Sequence, residues 1–357
     1  SGFASDKLTY VNLTNTFLPI PTMSGKSTLQ EYYGAYQRGS GGIFIGNSFK
    51  FSNCTSLKTL YLSHTTMSND RFPKFSNPSL TTLNLVDTNF RGGLNDNGTI
   101  DDGNVIPEKT FQGTPNLKEF RIVSGNLIKE PIANSAFTYT PELVTLQYDS
   151  GRGTPGSVPN LNSCTKLVTL NLKNNAFTTG TPNLQASTNI RKADLQFNKL
   201  SGAIPTFKNL PNLEELYLNN NKYTAIGEFI NLPKLYKFNC HNQFTDGSSG
   251  IGGEIPDFSD GCPSLNELIL YNNSFTSYKS GSFSRLYKLN LLDISNNNLS
   301  VTGLEQIMDD LYKNYTETPR GGVKINIKNA LGAGLTINEK ILETITLLRV
   351  ESWTVTL

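Results

Sequence analysis

The stretch of sequence that decides the fold is LVTLNLKNNAF at residues 167–177. Its apolar residues Leu167, Leu170 and Leu172 have the spacing L-x-x-L-x-L, and Asn175 follows three residues later. Successive side chains of a β-strand point to opposite faces, so Leu170 and Leu172 share one face. The stretch therefore predicts a short strand with an apolar inner face, followed by an asparagine that turns the chain.

The same pattern returns through most of the chain, and its close copies are about 22 to 24 residues apart. The copies open at Leu8, Leu29, Leu57, Leu80, Leu117, Leu143, Leu167, Ile190, Leu213, Leu235, Leu265 and Leu289. Such a period is typical of stacked repeat architectures. One unit cannot bury its own leucines, so stability accumulates as units stack. We predict about twelve repeats over residues 1–300, and we number each from its first leucine (position 1) to its asparagine (position 9).

The repeated pattern resembles that of the leucine-rich-repeat family over nearly the whole chain. The segments SGAIP at 201–205 and GGEIP at 252–256 further resemble the G-x-I-P repeats of plant receptor ectodomains, which also occur in microbial and viral proteins. The resemblance implies an α/β solenoid dominated by β-structure, a right-handed horseshoe with a parallel concave β-sheet. It also implies that the asparagine side chain at position 9 bonds to backbone groups of adjacent turns.

A different pattern follows residue 300. Leu304, Ile307, Met308 and Leu311 have the i, i+3, i+4, i+7 spacing that predicts an amphipathic helix. We predict a short strand over 323–327, a second helix that opens with the capping box TINE at 336–339, and a final strand over 353–357. Residues 301–357 are therefore expected to form a short helical cap, because terminal repeats must cover the apolar end of a stack.

The end of the chain also carries a resemblance. A helix followed by Trp353 and Val355 resembles the terminus of microbial and bacteriophage leucine-rich-repeat proteins, where a glycine usually stands in place of Ser352. The paired-cysteine caps of plant and animal receptor ectodomains are missing from the sequence. The resemblance therefore favours microbial or bacteriophage proteins with G-x-I-P-type repeats.

Composition limits the classes of partner. Among 357 residues, Lys plus Arg number 31 and Asp plus Glu number 29, so the chain lacks the net positive field that nucleic-acid binding usually needs. No apolar run is long enough to insert into a membrane. The opening Ser1 and Gly2 suggest that the natural N-terminus is missing, so no conclusion about secretion follows. Cys54, Cys164 and Cys262 each precede a repeat-opening leucine by three residues, which predicts buried free thiols.

Residues for catalysis or cofactor binding are scarce, and we expect neither an enzyme nor a bound cofactor. Both histidines, His64 and His241, are assigned to position 8, an outward position of the concave face. No nucleophile elbow, phosphate loop or histidine cluster is present. The stretch from Asp96 to Asp101 weakly resembles a calcium loop but lacks an acidic first ligand and a closing glutamate. An insertion loop without bound calcium is the favoured interpretation there.

The candidate binding surface consists of apolar and aromatic residues at outward positions of the later repeats. They are Phe197, Tyr217, Tyr236, His241, Ile269 and Tyr271, while Tyr61 is an isolated earlier case. Large exposed apolar patches tend to mark interaction sites, and tyrosine is favoured in binding surfaces. The alternative is that these are scattered surface residues, or that an insertion covers them. Longer spacings also predict insertion loops over 91–104 and 243–253, which are candidates for functional loops.

These features favour a non-enzymatic recognition module that binds a protein or glycan on a cell surface through the concave face. We expect an extracellular or virion-surface location, as in a phage receptor-binding or tail-associated protein or a microbial adhesion protein. Two alternatives stay open: a structural spacer or scaffold of a virion, and an intracellular protein-interaction module. The sequence does not identify the ligand, the source organism or the oligomeric state.

Overall fold

The structure, a computed structural model, describes most of the chain. The described residues are 7–16, 20–35, 44–45, 48–63, 66–67, 74–86, 89–90, 106–123, 131–151, 153–244 and 249–357. They fall into two compact units, Ser1–Ser187 and Thr188–Leu357. Each unit is a stack of short parallel strands, and the fold is that of a leucine-rich-repeat solenoid.

The first unit contains eleven strands in its described residues. They are β1 (Tyr10–Asn12), β2 (Glu31–Ala35), β3 (Phe44–Ile45), β4 (Ser48–Phe49), β5 (Thr59–Ser63), β6 (Thr66–Met67), β7 (Thr82–Val86), β8 (Asn89–Phe90), β9 (Glu119–Val123), β10 (Thr145–Asp149) and β11 (Thr169–Asn171). The main sheet of this unit has the order β1-β2-β5-β7-β9-β10-β11, and all its pairings are parallel.

The register of this sheet follows the leucines. Leu60 pairs with Leu83, which pairs with Phe120, and all three side chains are buried. Along each of these strands, the residues on either side of the buried one are only partly buried, because the side chains of a strand alternate between its two faces. A shift of one residue would expose every inward side chain, so the leucine spacing determines the register.

The second unit has seven main-sheet strands and shorter strands beside them. Its strands are β12 (Lys192–Asp194), β13 (Ser201–Ile204), β14 (Phe207–Lys208), β15 (Glu215–Tyr217), β16 (Lys222–Ile226), β17 (Phe229–Ile230), β18 (Lys237–Asn239), β19 (Gly252–Ile255), β20 (Glu267–Ile269), β21 (Ser274–Tyr278), β22 (Leu291–Asp293), β23 (Lys324–Asn326) and β24 (Thr354–Thr356). The order in the main sheet is β12-β15-β18-β20-β22-β23-β24, all parallel. The pairs β13–β16, β14–β17 and β19–β21 form separate two-stranded ribbons.

Phenylalanine rings fill the interior of the second unit behind its main sheet. Phe229 lies 5.9 Å from Phe207, 4.8 Å from Phe258 and 4.7 Å from Phe238, measured between ring centroids. The next ring in the column, Phe283, lies 6.3 Å from Phe258. Aromatic pairs at these separations stabilise a core beyond the area that they bury. Successive repeats are therefore joined by aromatic packing as well as by the leucines.

Asparagines at position 9 satisfy buried backbone groups, as the family resemblance implies. The Nδ2 of Asn221 donates to the carbonyl oxygens of Leu195 and Leu218, both at 3.0 Å, and its Oδ1 accepts from the Leu200 amide at 3.0 Å. Asn273 makes the equivalent bonds two repeats further along, and it is buried. Each such side chain links two successive turns, because buried polar backbone groups need partners.

Gln243 takes the place of the asparagine in its repeat. Its Nε2 donates to the Leu218 oxygen at 3.0 Å, its Oε1 accepts from the Tyr223 amide at 3.1 Å, and the side chain is fully buried. The predicted insertion over 243–253 is therefore wrong at its first residue, which belongs to the repeat. The insertion is also wrong at its last two residues, because Gly252 and Gly253 belong to β19 and pair with Ser274 and Phe275.

The C-terminal elements are two helices and two strands. Helix α1 (Val301–Glu317) begins after Ser300, whose Oγ accepts from the Gly303 amide at 3.0 Å, and it buries the predicted apolar stripe. Helix α2 (Glu339–Val350) begins after Asn338, whose Oδ1 accepts from the Ile341 amide at 3.1 Å. The capping box predicted from Thr336 is therefore wrong, because asparagine is the stronger N-cap residue and stands two residues later.

Helix α1 is tied to the last turn of the stack by a buried carboxylate. Asp310 accepts from the Tyr278 hydroxyl at 2.5 Å and from the Gly281 amide at 2.8 Å. Burial and this bond raise the pKa of Tyr278, so the phenol stays protonated. Trp353 donates its Nε1–H to the Arg320 carbonyl oxygen at 2.7 Å. These contacts place residues 301–357 against the end of the stack. The proposed domain boundary at residue 300 stays a prediction.

The four cysteines are free and buried, which confirms the prediction made for Cys54, Cys164 and Cys262. Burial raises the pKa of the Cys54 thiol to about 11, and it also raises the pKa of Cys164, Cys240 and Cys262. The thiolate is the reactive form of cysteine, so these residues act as small packing groups.

Candidate functional site

The outward face of the main sheet in the second unit carries the predicted binding residues. Tyr217 and Ile269 occupy position 5 of their strands, and Asn239 separates them in the register. Tyr236 occupies position 2 and is 38% exposed, whereas Tyr217, Ile269 and Tyr271 are half-buried. We call the set Tyr217, Tyr236, His241, Ile269 and Tyr271 the sheet patch. All five lie on the neighbouring repeats of β15, β18 and β20.

His241 lies at position 7 of its repeat, directly after the inward Cys240. The assignment to position 8 is therefore wrong, because Asn242 occupies that position and has the left-handed backbone (φ 55°) of position-8 residues in this unit. The histidine faces outward as expected. The other histidine, His64, lies outside the described residues, as does the calcium candidate from Asp96 to Asp101.

A histidine and a tyrosine form the centre of the sheet patch. The rings of His241 and Tyr271 are stacked, with centroids 4.3 Å apart and an interplanar angle of 10°. The Nδ1 of His241 lies 2.5 Å from the Asn239 Oδ1. Burial lowers the pKa of His241 to about 4, although nearby Asp293 acts to raise it. The ring is therefore neutral at pH 7, and with Nδ1–H donating to Asn239 its Nε2 is an acceptor.

Glu215 fixes the two other tyrosines of the sheet patch. Its carboxylate accepts from the Tyr217 hydroxyl at 2.9 Å and from the Tyr236 hydroxyl at 2.5 Å. Lys192 donates to the same carboxylate at 2.7 Å. Burial acts to raise the pKa of Glu215, but the bonds from Lys192, Tyr236 and Tyr217 dominate and lower it to about 2. Glu215 is therefore ionised at neutral pH and holds both rings in one orientation.

Charges of alternating sign lie beside the aromatic residues, a feature that the sequence interpretation missed. Position 3 of four successive strands carries Lys192, Glu215, Lys237 and Glu267. Lys237 pairs with Glu267 at 2.5 Å, and the Nζ atoms of Lys192 and Lys237 lie 5.0 and 5.8 Å from the centre of the Tyr217 ring. The alternation is not visible along any single strand. It becomes visible in the sequence only when the residues at position 3 of successive repeats are compared.

Phe197 lies one repeat before the sheet patch. It belongs to the repeat of β12, and the strands β15 and β18 separate β12 from the strand β20 that precedes Tyr271. Its backbone is left-handed, with φ of 56°, at a position where the later repeats carry Asn220, Asn242 and Asn272. A phenylalanine in this region is strained, because the side chain crowds the backbone, whereas asparagine tolerates it.

The first unit carries an aromatic row of its own. Tyr10, Tyr33 and Tyr61 occupy the outward face of β1, β2 and β5, with ring centroids 5.8 and 6.0 Å apart. Burial and the nearby Glu31 raise the pKa of Tyr33. Tyr61 is therefore not the isolated case that we predict from sequence. The loose copies that open at Leu8 and Leu29 obscured the register of the other two tyrosines.

Two segments match a known repeat family. Residues 188–231 match the family described as leucine-rich repeats in two copies, and residues 258–308 match the leucine-rich-repeat family. The chain contains leucine-rich repeats. Both matched segments lie in the second unit, and the sheet patch lies on strands within and between them. A search of curated proteins found no match.

Solved leucine-rich-repeat structures are similar to this fold. One is an internalin from Listeria monocytogenes, with TM-score 0.52 and 18% identity, covering 83% of this chain and 76% of the internalin. Another is the plant peptide hormone receptor RGFR1 in complex with RGF2, with TM-score 0.54, 18% identity and 90% of this chain covered. The chain spans 56% of that receptor chain.

A third similar structure is the octameric complex of latrophilin 3, Unc5D and FLRT2, in which FLRT2 is the leucine-rich-repeat component. It has TM-score 0.56 and 18% identity, and the match covers 95% of this chain and 94% of the matched chain. At this identity the similarity establishes the repeat fold. Within the described residues, no helix of this protein is both long enough and apolar enough to cross a membrane.

Proposed function

We propose that the protein is a non-enzymatic recognition module that binds a protein on a cell surface through the sheet patch of its second unit. The observation that carries the proposal is the fixed geometry of the aromatic residues. Glu215 orients Tyr217 and Tyr236, and His241 stacks on Tyr271, before any partner is bound. Rigid aromatic side chains give contact area with little loss of entropy on binding, which raises affinity.

The surroundings of the sheet patch suit a protein partner. Lys192, Glu215, Lys237 and Glu267 place both signs of charge among its tyrosines, which favours a partner with complementary polar groups over a uniformly charged polymer. Interface cores are enriched in tyrosine, and the sheet patch contains three tyrosines. We include Phe197 as a further contact on the same sheet, because strained residues that persist tend to be functional.

Similar folds supply support of a more general kind. The RGFR1 structure contains the peptide hormone RGF2, and the FLRT2 structure contains latrophilin 3 and Unc5D. By analogy we propose an extracellular or virion-surface location for this protein. The resemblance of its C-terminal end to microbial and bacteriophage proteins favours a phage receptor-binding or tail-associated protein or a microbial adhesion protein.

The test is a binding experiment on arrays of cell-surface proteins and of glycans, with the full chain as the probe. Tyr217→Ala and Tyr271→Ala should each weaken binding to the protein array by about tenfold or more, since interface tyrosines often contribute more than 1 kcal/mol. Tyr312→Ala is the matched control, because Tyr312 is a half-buried tyrosine on helix α1, outside the main sheet. Its binding should equal that of the wild type.

Other outcomes would contradict the proposal. Binding to glycans alone would replace the protein partner with a carbohydrate. Loss of binding in Tyr33→Ala, with Tyr217→Ala unaffected, would move the surface to the tyrosine row of the first unit. Absence of binding to either array by a correctly folded sample would favour a structural spacer or an intracellular interaction module.

A further inference from the structure

A second concave surface lies in the second unit, away from its main sheet. It is a cleft with a volume of about 620 Å³, lined by residues 225–231, by Gly252 and residues 254–257, by Asp260 and Gly261, and by Lys279 and Ser282. All of these residues lie outside the main sheet that carries the sheet patch. The volume falls within the range of roughly 300 to 1,000 Å³ that is typical of ligand sites.

The cleft exists because the ribbon on this side of the unit is interrupted. β13 pairs with β16 and β19 pairs with β21, each joining one repeat to the next. Between β16 and β19, which also belong to successive repeats, no ladder forms in the described residues. The chain here takes 30 residues from Leu235 to Leu265 instead of about 23. The two strand edges that would otherwise pair therefore border the cleft.

An unpaired strand edge is a template for a further strand, because its amide and carbonyl groups are arranged for a ladder. Residues 225–226 of β16 and 254–255 of β19 line the cleft from its two sides. The lining also has apolar side chains: Ile226 of β16 is half-buried, and Ile230 of β17 is 43% exposed. The cleft thus offers main-chain pairing together with an apolar surface for alternate side chains of an extended segment.

The charge of the cleft is strongly negative. Glu228, Glu254, Asp257 and Asp260 line it, against the single cation Lys279. Asp260 pairs with Arg285 at 2.7 Å, and Asp257 accepts from Ser259. Glu228 and Glu254 are exposed, and in the part of the chain that the structure describes neither takes part in an ion pair. These two carboxylates are therefore available to a cationic group.

A buried hydroxyl gives a second, independent indication of a ligand. Ser282 lines the cleft, is 1% exposed, and its Oγ has no hydrogen-bond partner among the described residues. Buried polar side chains nearly always have a partner, and an exception needs an explanation such as a missing ligand.

We propose that this cleft is a second binding site, which takes an extended peptide segment that carries lysine or arginine. The segment adds a strand at the edge of β16 or β19, places alternate apolar side chains against Ile226 and Ile230, and directs its cations towards Glu228 and Glu254. The site is separate from the sheet patch and does not depend on the function proposed for it.

The experiment measures fluorescence anisotropy of a labelled peptide of alternating valine and lysine, added to the full chain. A peptide with glutamate in place of lysine is the ligand control. We expect binding of the lysine peptide only, and weakening as the salt concentration rises. The double variant Glu228→Gln with Glu254→Gln should weaken binding about tenfold, and Ile230→Ser should weaken it about threefold.

Matched variants keep this inference distinct from the proposed function. Glu343→Gln changes an exposed glutamate on helix α2 and should bind the peptide as the wild type does. Tyr217→Ala should also bind it normally, because Tyr217 lies in the sheet patch. Equal binding of both peptides, an unchanged affinity in the double glutamine variant, or loss of binding in Tyr217→Ala would each overturn the inference.

Discussion

At the scale of single residues, asparagine performs two tasks in the second unit. At position 9 it bonds buried backbone groups of two turns. At position 8 it tolerates a left-handed backbone, and its side chains bond to one another from repeat to repeat. Nδ2 of Asn242 donates to Asn220 at 3.2 Å, Nδ2 of Asn272 donates to Asn242 at 2.5 Å, and Nδ2 of Asn296 donates to Asn272 at 2.8 Å. The asparagine-rich composition is therefore a consequence of the repeat.

Asn273→Ala is expected to lower the free energy of unfolding by about 2 to 4 kcal/mol. The change removes three hydrogen bonds, with the carbonyl oxygens of Cys240 and Leu270 and with the amide of Ile251. The Leu270 oxygen keeps Asn297 as a donor at 3.2 Å, whereas the Ile251 amide loses its partner. An unsatisfied buried group costs about 1 to 3 kcal/mol, and each further lost bond costs about 1 kcal/mol. Chemical denaturation measures the loss. Asn290→Ala is the matched control, because Asn290 is exposed, and a comparable loss there would contradict the explanation.

Phe197→Asn is expected to stabilise the protein by up to about 1 kcal/mol, because asparagine tolerates the left-handed backbone that strains phenylalanine. The new amide would also stand next to Asn220, at the start of the position-8 row. The melting temperature should rise. Binding to the cell-surface protein proposed as partner should weaken, because Phe197 is a proposed contact. A lower melting temperature would show that packing of the Phe197 ring outweighs its backbone strain.

At the scale of elements, the end of helix α2 illustrates how one residue shapes a cap. Ser352 has φ of 64°, a left-handed conformation, and the chain reverses there so that Trp353 and β24 follow. This conformation explains why glycine is usual at this point in the microbial and bacteriophage proteins that the ending resembles. The Cβ of Ser352 lies near Gly321, in the loop that enters β23.

Ser352→Gly should therefore stabilise the C-terminal end by up to about 1 kcal/mol, and Ser352→Val should destabilise it by about as much. Thermal unfolding of the two variants, followed by the fluorescence of the single tryptophan Trp353, measures both changes. Equal stability of the glycine and valine variants would show that the backbone there adjusts without strain.

At the scale of the whole molecule, two groups should make stability depend on pH. The pKa of His241 is about 4 in the folded protein against 6.5 for an ordinary histidine. The unfolded chain therefore takes up the proton first, and this contribution to stability is present above pH 6.5 and is lost as the pH falls towards 4. Glu215 has a pKa of about 2 against 4.5, so its contribution is lost between pH 4.5 and 2.

His241→Phe tests the upper range, because it keeps a ring against Tyr271 but removes the titrating group. Between pH 6.5 and 4, the wild type should lose about 1 to 2 kcal/mol more than the variant, a value reduced for partial exposure. Denaturation curves at several pH values give the difference. Parallel stability profiles for the two proteins in this range would show that His241 does not titrate as described.

Much of the repeat could be predicted from sequence because its spacing is set by local geometry. The inward leucines, the position-9 asparagines, the buried cysteines and the helix of Leu304 to Leu311 follow from periodicity and polarity alone. Two of the errors concern residues for which neighbouring sequence supports two interpretations: Thr336 or Asn338 as the N-cap, and Gln243 as a loop residue or a repeat residue. In both cases the choice depends on which backbone groups lie within reach.

The sequence by itself determined the repeat and the apolar face of each strand. Tertiary structure alone decided which outward residues meet. The stack of His241 on Tyr271, the carboxylate of Glu215 that holds two tyrosines, the tyrosine row of the first unit and the acidic cleft all join residues of different repeats. These contacts arise because repeats stack: strands about 4.8 Å apart bring together side chains that are some 20 to 30 positions apart in sequence. The cleft arises because one long repeat separates two strand edges that would otherwise pair.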